Sequence, residues 1–307
     1  MSPPDTLGGA IRAATVRLSE TSETPRLDAE LLMAQVLGVT RETLLLGGLG
    51  RPLPPFVLSA VEGRAASAAP AARTSTSPSA NGVKERFEDL VSRRTAGEPI
   101  AYILGHRDFW TIRLHVAPGV LIPRPDSETL IEAAVDHFAG TAGPRRILDL
   151  GTGSGALLLA ALAQWPHASG VGIDRSAQAL AIARANAEQL GMAARAEIVE
   201  GGWAGTGEAF DLILCNPPYI GTGEALPRDV IEHEPHGALF AGPDGLDDYR
   251  ALAPLVPAQL APGGVACIEI GATQGEAVAS FMRSQGLAVH IRHDLSGLNR
   301  CIVAMRR

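Results

Sequence analysis

Apolar residues recur along this chain with two different periods, and the period changes about a third of the way in. Leu27, Leu31, Leu32, Val36 and Leu37 follow helical spacing behind Thr24-Pro25, which reads as a cap followed by a proline at the first helical position. Residues 84–94 repeat the pattern, with Phe87, Leu90 and Val91 on one face. The chain is therefore expected to be helical up to about residue 95. Between these runs, 15 of the 18 residues in 65–82 are Ala, Ser, Thr or Pro. Such a stretch has little to bury, so it is expected to be a flexible surface insertion.

From 100 to 125 the texture becomes β-like. Phe109, Ile112, Leu114 and Val116, then Val120-Leu121-Ile122, surround Pro118-Gly119 and predict a small connecting β-hairpin. The arm Leu121-Ile122-Pro123-Arg124-Pro125-Asp126 is too proline-rich for a helix interior. Ser127 then opens a helix running to about Phe138. After Pro144, strands and helices alternate regularly. Strands are predicted at Arg146–Leu150, Ser169–Asp174, Ala196–Glu200, Phe210–Cys215, 265–270, 288–293 and 300–305. Helices are predicted at Ala156–Gln164, 176–190, 248–260 and 274–284. Alternation of this kind implies a doubly wound α/β sheet, with the last two strands antiparallel. The expected organisation is a helical domain over 1–95, a hairpin and arm over 96–125, and an α/β domain over 126–307.

Composition narrows the partners. The 307 residues are 46% hydrophobic and 4% aromatic, with 26 basic against 33 acidic residues and a net charge of −7. That balance disfavours bulk binding to nucleic acid or anionic membrane, and few aromatics are available to stack on bases. Lys84 is the only lysine, which reads as a coding bias without chemical meaning. No apolar stretch nears the roughly twenty residues of a membrane span, and no secretory signal is visible, so a cytoplasmic protein is expected. Cys215, Cys267 and Cys301 sit apart in apolar runs and read as buried reduced thiols.

Three constellations can carry chemistry. Gly151-Thr152-Gly153-Ser154-Gly155 lies between a strand and a helix, where glycines let the backbone turn sharply and approach a ligand beside a helix N-terminus. Its G-x-G-x-G spacing differs from the dinucleotide fingerprint and favours a ligand bearing a carboxylate over one bearing a pyrophosphate. Asp174 ends the next strand, nineteen residues beyond Gly155, where an acid can accept bonds from ribose hydroxyls. Asp174 also suits a helix start before Ser176. Asn216-Pro217-Pro218-Tyr219 directly follows an apolar strand. The Asn216 carbonyl and the backbone carbonyls beside it can accept two N–H bonds from a planar –NH2 group, against the aromatic wall of Tyr219. Such a nitrogen is a poor nucleophile, and fixing its hydrogens while aiming its lone pair at an electrophilic methyl is catalysis by orientation. S-adenosylmethionine would be the carrier of that methyl, its carboxylate and ribose matching the glycine loop and Asp174, with Trp203 near its adenine. No metal is required. His233-Glu234-Pro235-His236 lacks zinc-site spacing and reads as structural. Arg93 and Arg94 read as solvated surface charges.

The assembled pattern resembles the PrmC/HemK protein-(glutamine-N5) methyltransferases. Arg26-Leu27-Asp28-Ala29-Glu30-Leu31-Leu32 is similar to that family's helical N-terminal domain. Gly97-Glu98-Pro99-Ile100-Ala101-Tyr102-Ile103-Leu104-Gly105 and Val120 to Pro125 are similar to its connecting hairpin. Glu234-Pro235, Asp244-Gly245-Leu246-Asp247 and Pro262-Gly263-Gly264 extend the match. The family often has an acidic or amide residue where Gly202 precedes Trp203, and Glu-Thr-Glu where this chain has Asp126-Ser127-Glu128. The resemblance implies a seven-stranded Rossmann-like S-adenosylmethionine-dependent methyltransferase domain. It implies methylation of the glutamine in the Gly-Gly-Gln motif of class I peptide chain release factors, which tunes translation termination. Gly151, Thr152, Gly153, Ser154, Gly155, Asp174, Trp203 and Asn216 would then hold the cofactor. Asn216, Pro217, Pro218 and Tyr219 would clasp the substrate amide, with Asn216, Pro217 and Tyr219 catalytic. The expected partner is a release factor, without direct nucleic-acid contact, met by a monomer. Two alternatives stand beside this reading. An amino-methyltransferase acting on nucleic-acid bases could use the same cleft, though the acidic balance counts against it. A non-catalytic cofactor-binding protein is disfavoured by the presence of all three constellations.

Overall fold

The computed structural model describes residues 6–53 and 80–306, and the chain divides into two units, Met1–Leu104 and Gly105–Arg307. The first contains helices α1 (Leu7–Leu18), α2 (Pro25–Leu37), α3 (Arg41–Leu46), α4 (Ala80–Thr95) and α5 (Ile100–Leu104). The Thr6 hydroxyl accepts the Gly9 N–H at 3.1 Å and starts α1, while Gly38, at φ +65°, ends α2. Leu18, Leu32, Met33, Phe87 and Val91 form its fully buried centre. Of the face read on α2, Leu32 and Val36 are buried, whereas Leu27, in the first turn, is exposed. Of the 65–82 insertion, residues 65–79 lie outside the described residues, and 80–82 open α4.

Three local expectations in this unit change. The residues from Ile100, read as the start of a β-like segment, form α5, because Ile103 joins the helical core. Thr24 precedes α2 without capping it; its hydroxyl donates instead to Asp28. Arg94 is buried, and its Nε lies 2.8 Å from the buried Asp28 carboxylate. Arg93 pairs with Glu98.

The second unit opens with an antiparallel hairpin, β1 (His106–Phe109) and β2 (Ile112–His115). It continues through α6 (Glu128–His137), β3 (Arg146–Leu150), α7 (Ala156–Gln164), β4 (Ser169–Asp174), α8 (Ala177–Gln189), β5 (Ala196–Glu200) and β6 (Phe210–Cys215). The remainder is α9 (Arg228–His233), α10 (Asp247–Leu252), α11 (Val256–Gln259), β7 (Leu260–Glu269), α12 (Gly275–Ser284), β8 (Leu287–His293) and β9 (Asn299–Arg306). Seven strands make one sheet in the order β5-β4-β3-β6-β7-β9-β8. The first five pair in parallel and β9 runs antiparallel to both neighbours, as the alternation of elements implied. Successive residues alternate between two cores: Leu212 and Leu214 face one, Ile213 and Cys215 the other. Burial on both faces explains why β6 reads as an unbroken apolar run.

Val120, Leu121 and Ile122 form no strand, because the Ile122 N–H goes to the Glu234 carboxylate at 3.0 Å instead of to a neighbouring strand. The predicted helix 248–260 is divided into α10 and α11 by Pro254, which lacks the N–H a continuous helix needs. Helix α9 was not legible in the sequence.

Candidate active site

Strand order determines where ligands can sit. β3 lies between β4 and β6, and the chain switches sides of the sheet there, which opens a crevice beyond the carboxyl ends of these strands. Leu150 pairs with both Ile173 and Cys215. The next residues, Gly151, Asp174 and Asn216, therefore emerge level with one another. A cavity of about 360 Å³ occupies this crevice, and its wall includes Gly151, Gly153, Asp174, Trp203, Asn216 and Pro218.

The glycine loop works by backbone geometry. Gly151, Gly153 and Gly155 have φ of +72°, +55° and +84°, a region that side-chain-bearing residues enter at a cost. Gly151 and Gly153 face the cavity. Thr152 and Ser154 are buried beneath it. The Thr152 hydroxyl donates to the Asp149 carboxylate at 2.6 Å, and the Ser154 carbonyl accepts from Asn186 at 2.8 Å. Asp149 also accepts the Leu158 N–H at the start of α7. Complete burial pushes the Asp149 carboxyl up to about 7, against the opposing pull of those two hydrogen bonds.

Asp174 lines the cavity at the end of β4, and the N-cap of the following helix is Ser176. The Asp174 carboxylate oxygens accept N–H bonds from Gly153 at 2.9 Å and Ser176 at 2.8 Å, while Ser176 itself caps α8. The acid thus tethers the glycine loop to the end of β4 and still lines the cavity. Trp203 lies across from Gly151, whose missing Cβ would come 3.4 Å from the ring. Its indole N–H donates to Asp248 at 3.0 Å and its carbonyl accepts from Gln259 at 3.0 Å. The ring is held in place from both ends.

At the other side of the crevice, the Asn216 Nδ2 donates to the Ser127 hydroxyl at 3.2 Å. In this arrangement the amide's donor side faces Ser127 and Oδ1 remains as its acceptor. Tyr219 lines an adjoining cavity of about 160 Å³, shared with Asn216, Leu121 and Leu239. Gln274 donates to the Tyr219 carbonyl at 2.8 Å, and the Leu239 carbonyl accepts the Tyr219 N–H at 3.2 Å, so the segment after β6 is anchored on two sides. Burial, first of all, raises the Tyr219 phenol well above its usual value.

Known proteins match this chain in sequence. Residues 126–233 match the family model described as methyltransferase small domain, and residues 9–63 and 76–105 match the PrmC N-terminal domain. A release factor glutamine methyltransferase of Rhodospirillum rubrum is 42% identical over 93% of this chain and 80% of its own length. Those of Cereibacter sphaeroides and Caulobacter vibrioides are 41% and 38% identical, covering 96% and 98% of this chain and 96% of each relative.

The chain belongs to the release factor glutamine methyltransferase family. It is accordingly an S-adenosylmethionine-dependent enzyme, and the crevice described above is where the residues expected of such an enzyme meet. Three other polar residues stand near this crevice: Glu234, read from the sequence as structural, and Ser127 and Glu269, which were given no role in the site from sequence. Glu234 is buried and braces the proline-rich arm through Ile122 and Arg124. The Glu234-Pro235 pair was visible as a motif, but the partner Ile122 lies 112 residues away. Ser127 and Glu269 lie behind Asn216; Ser127 stood in the Asp126-Ser127-Glu128 motif without an assigned role, and nothing local in the sequence marks Glu269. All three cysteines are free and buried. Among the described residues, no group of three or more His, Cys, Asp or Glu is placed to hold a metal, and no helix is long and apolar enough to cross a membrane.

Proposed function

We propose that this chain methylates the side-chain amide nitrogen of the glutamine in the Gly-Gly-Gln motif of class I release factors, with Asn216 and Pro217 holding the amide. The observation that carries this reading is the Asn216–Ser127 bond, which leaves Asn216 Oδ1 as an acceptor at the cavity wall. Two fixed acceptors, Asn216 Oδ1 and the Pro217 carbonyl, bind both hydrogens of the glutamine –NH2 and hold its plane against Pro218 and the Tyr219 ring. As the new N–C bond forms, positive charge grows on that nitrogen and its hydrogens become stronger donors. Both contacts therefore tighten in the transition state, which is the condition for lowering a barrier.

The fit to S-adenosylmethionine rests on the chain's own features. Gly151 and Gly153 leave the wall without side chains, Asp174 presents a carboxylate for the ribose, and Trp203 offers a fixed flat surface. Thr152, Ser154 and Gly155 act from beneath the loop by holding its shape. When bound, S-adenosylmethionine supplies an electrophilic methyl group on a sulfonium. The enzyme acts as a monomer in the cytoplasm, on a protein and not on nucleic acid.

Purified enzyme with radiolabelled S-adenosylmethionine is offered release factor, its Gln-to-Ala variant, RNA and DNA. Label is expected in the unmodified release factor alone. Label confined to nucleic acid would transfer the cleft to a base amino group.

A further inference from the structure

An asparagine amide can face a substrate with its oxygen or its NH2, and only the first orientation accepts hydrogen bonds from a glutamine –NH2. Ser127 alone does not decide between them. A hydroxyl can accept from Asn216 Nδ2 or, after rotation, donate to Oδ1. The direction is imposed only if the hydroxyl hydrogen is committed elsewhere, to a group that cannot donate.

Such a group stands behind Ser127. Cys215 pairs with Ile268 in the β6–β7 ladder, so Glu269 lies level with Asn216 on the adjacent strand. Glu269 and Ser127 are 1% and 4% exposed. The Ser127 hydroxyl faces the Glu269 carboxylate. Its buried Oε2 makes no hydrogen bond among the described residues and is the open acceptor for the Ser127 hydroxyl's hydrogen. The Tyr219 hydroxyl reaches the other carboxylate oxygen at 3.4 Å. Asn216, Ser127, Glu269 and Tyr219 thus form a chain linking both ends of the Asn-Pro-Pro-Tyr segment. A fully buried carboxyl is costly to keep, and the methyl-transfer reading gives Glu269 no direct contact with either ligand.

We propose that Glu269 is a positioning residue that acts through Ser127 to hold the Asn216 amide with its oxygen toward the substrate. The inference rests on the proposed role of Asn216. Ionised Glu269 only accepts, so the Ser127 hydrogen points to it and the serine lone pairs face Asn216 Nδ2. Neutralised Glu269 can donate, and the direction of the chain is no longer enforced. The groups facing the carboxyl are the Tyr219 hydroxyl, Ser127, Arg300, which attracts its charge, and Asp126, which repels it. Tyr249 donates to the Glu269 backbone carbonyl at 2.8 Å, and the buried Cys215 and Cys301 thiols are further neighbours. Burial dominates this set and brings the Glu269 carboxyl to about 7. Turnover should therefore rise with pH through the neutral range.

The test uses the full-length enzyme, release factor as substrate, and the variants Glu269→Gln, Ser127→Ala, Ser127→Thr and the double variant Ser127→Ala/Glu269→Gln. Turnover and KM are measured from pH 5.5 to 9, and S-adenosylhomocysteine binding is measured by calorimetry. Glu269→Gln is expected to lower kcat about tenfold or more at pH 8 and to abolish the near-neutral limb of the profile. Its S-adenosylhomocysteine affinity should stay within about threefold of wild type, an interval well below the tenfold steps of a lost contact. Ser127→Ala should show the same loss, Ser127→Thr should recover most of it, and the double variant should be no worse than Glu269→Gln. Wild-type kcat in Glu269→Gln, an unchanged pH limb, or additive losses in the double variant would overturn the inference. If Glu269→Gln fails to fold, Ser127→Ala against Ser127→Thr decides it. Absence of release factor methylation by wild type would instead sink the functional reading itself.

Discussion

In the proposed reaction, Asn216 is the residue at which selectivity and chemistry coincide. Its amide is planar and carries a donor and an acceptor, and the donor faces Ser127. Asn216→Ala should therefore remove one of two substrate acceptors while leaving the glycine loop, Asp174 and Trp203 intact. Loss of a transition-state hydrogen bond of this kind costs about 10²- to 10³-fold in kcat. S-adenosylhomocysteine binding by calorimetry should change little by comparison; turnover near wild type would remove Asn216 from its assigned role. The same residue scale shows why Asp174 could be read two ways from sequence. It does bond to the Ser176 N–H, and it does face the cavity, because one carboxylate serves the loop and the ligand side at once.

At the scale of elements, the loop between β3 and α7 and the packing of α2 on α4 make separate demands. Gly151 combines a φ of +72° with a ring 3.4 Å from where a Cβ would stand, whereas Gly153 has open space at that point. Gly151→Val should therefore weaken S-adenosylhomocysteine binding by tenfold or more, while Gly153→Ala should show mainly backbone strain of about 1–2 kcal/mol. Calorimetry beside thermal unfolding separates the two effects. In the helical unit, Asp28 and Arg94 are both buried and paired, with Ser22 and Thr24 also donating to Asp28. Asp28→Ala leaves a buried guanidinium without its main partner and should cost about 3–5 kcal/mol. Hydrogen exchange should report lost protection in α2 and α4, with the central strands of the sheet unchanged.

At the scale of the whole molecule, the sheet holds acidic groups that burial keeps near neutrality. Asp149 rises from 3.8 to about 7 because it is fully enclosed. A raised carboxyl means that the native state binds more protons than the unfolded chain between these values. Its contribution to stability is thus fully present below pH 3.8 and is lost as pH rises to about 7. Asp149→Asn keeps an acceptor for Thr152 and Leu158 and removes the charge. Its unfolding temperature relative to wild type should increase between pH 5 and 8, with a free-energy gain on the order of a few kcal/mol; a pH-independent difference would refute the assignment. Much of this architecture was present in the sequence. Strands β3 to β6 and helix α7 lie where the apolar runs and breakers put them, since periodicity records which face of an element is buried. Gly151, Asp174 and Asn216 were also identifiable, each at the end of an apolar strand. The sequence could not disclose that Ser127, Glu234 and Glu269 would meet this edge, or which way the Asn216 amide would point. Ser127 and Asn216 are 89 residues apart. Their meeting depends on strand order and on which polar groups must find partners once buried. Local pattern therefore determined the elements and the cavity-facing motifs, whereas tertiary packing decided the hydrogen-bond directions, because a buried donor is oriented by whatever acceptor the fold encloses with it.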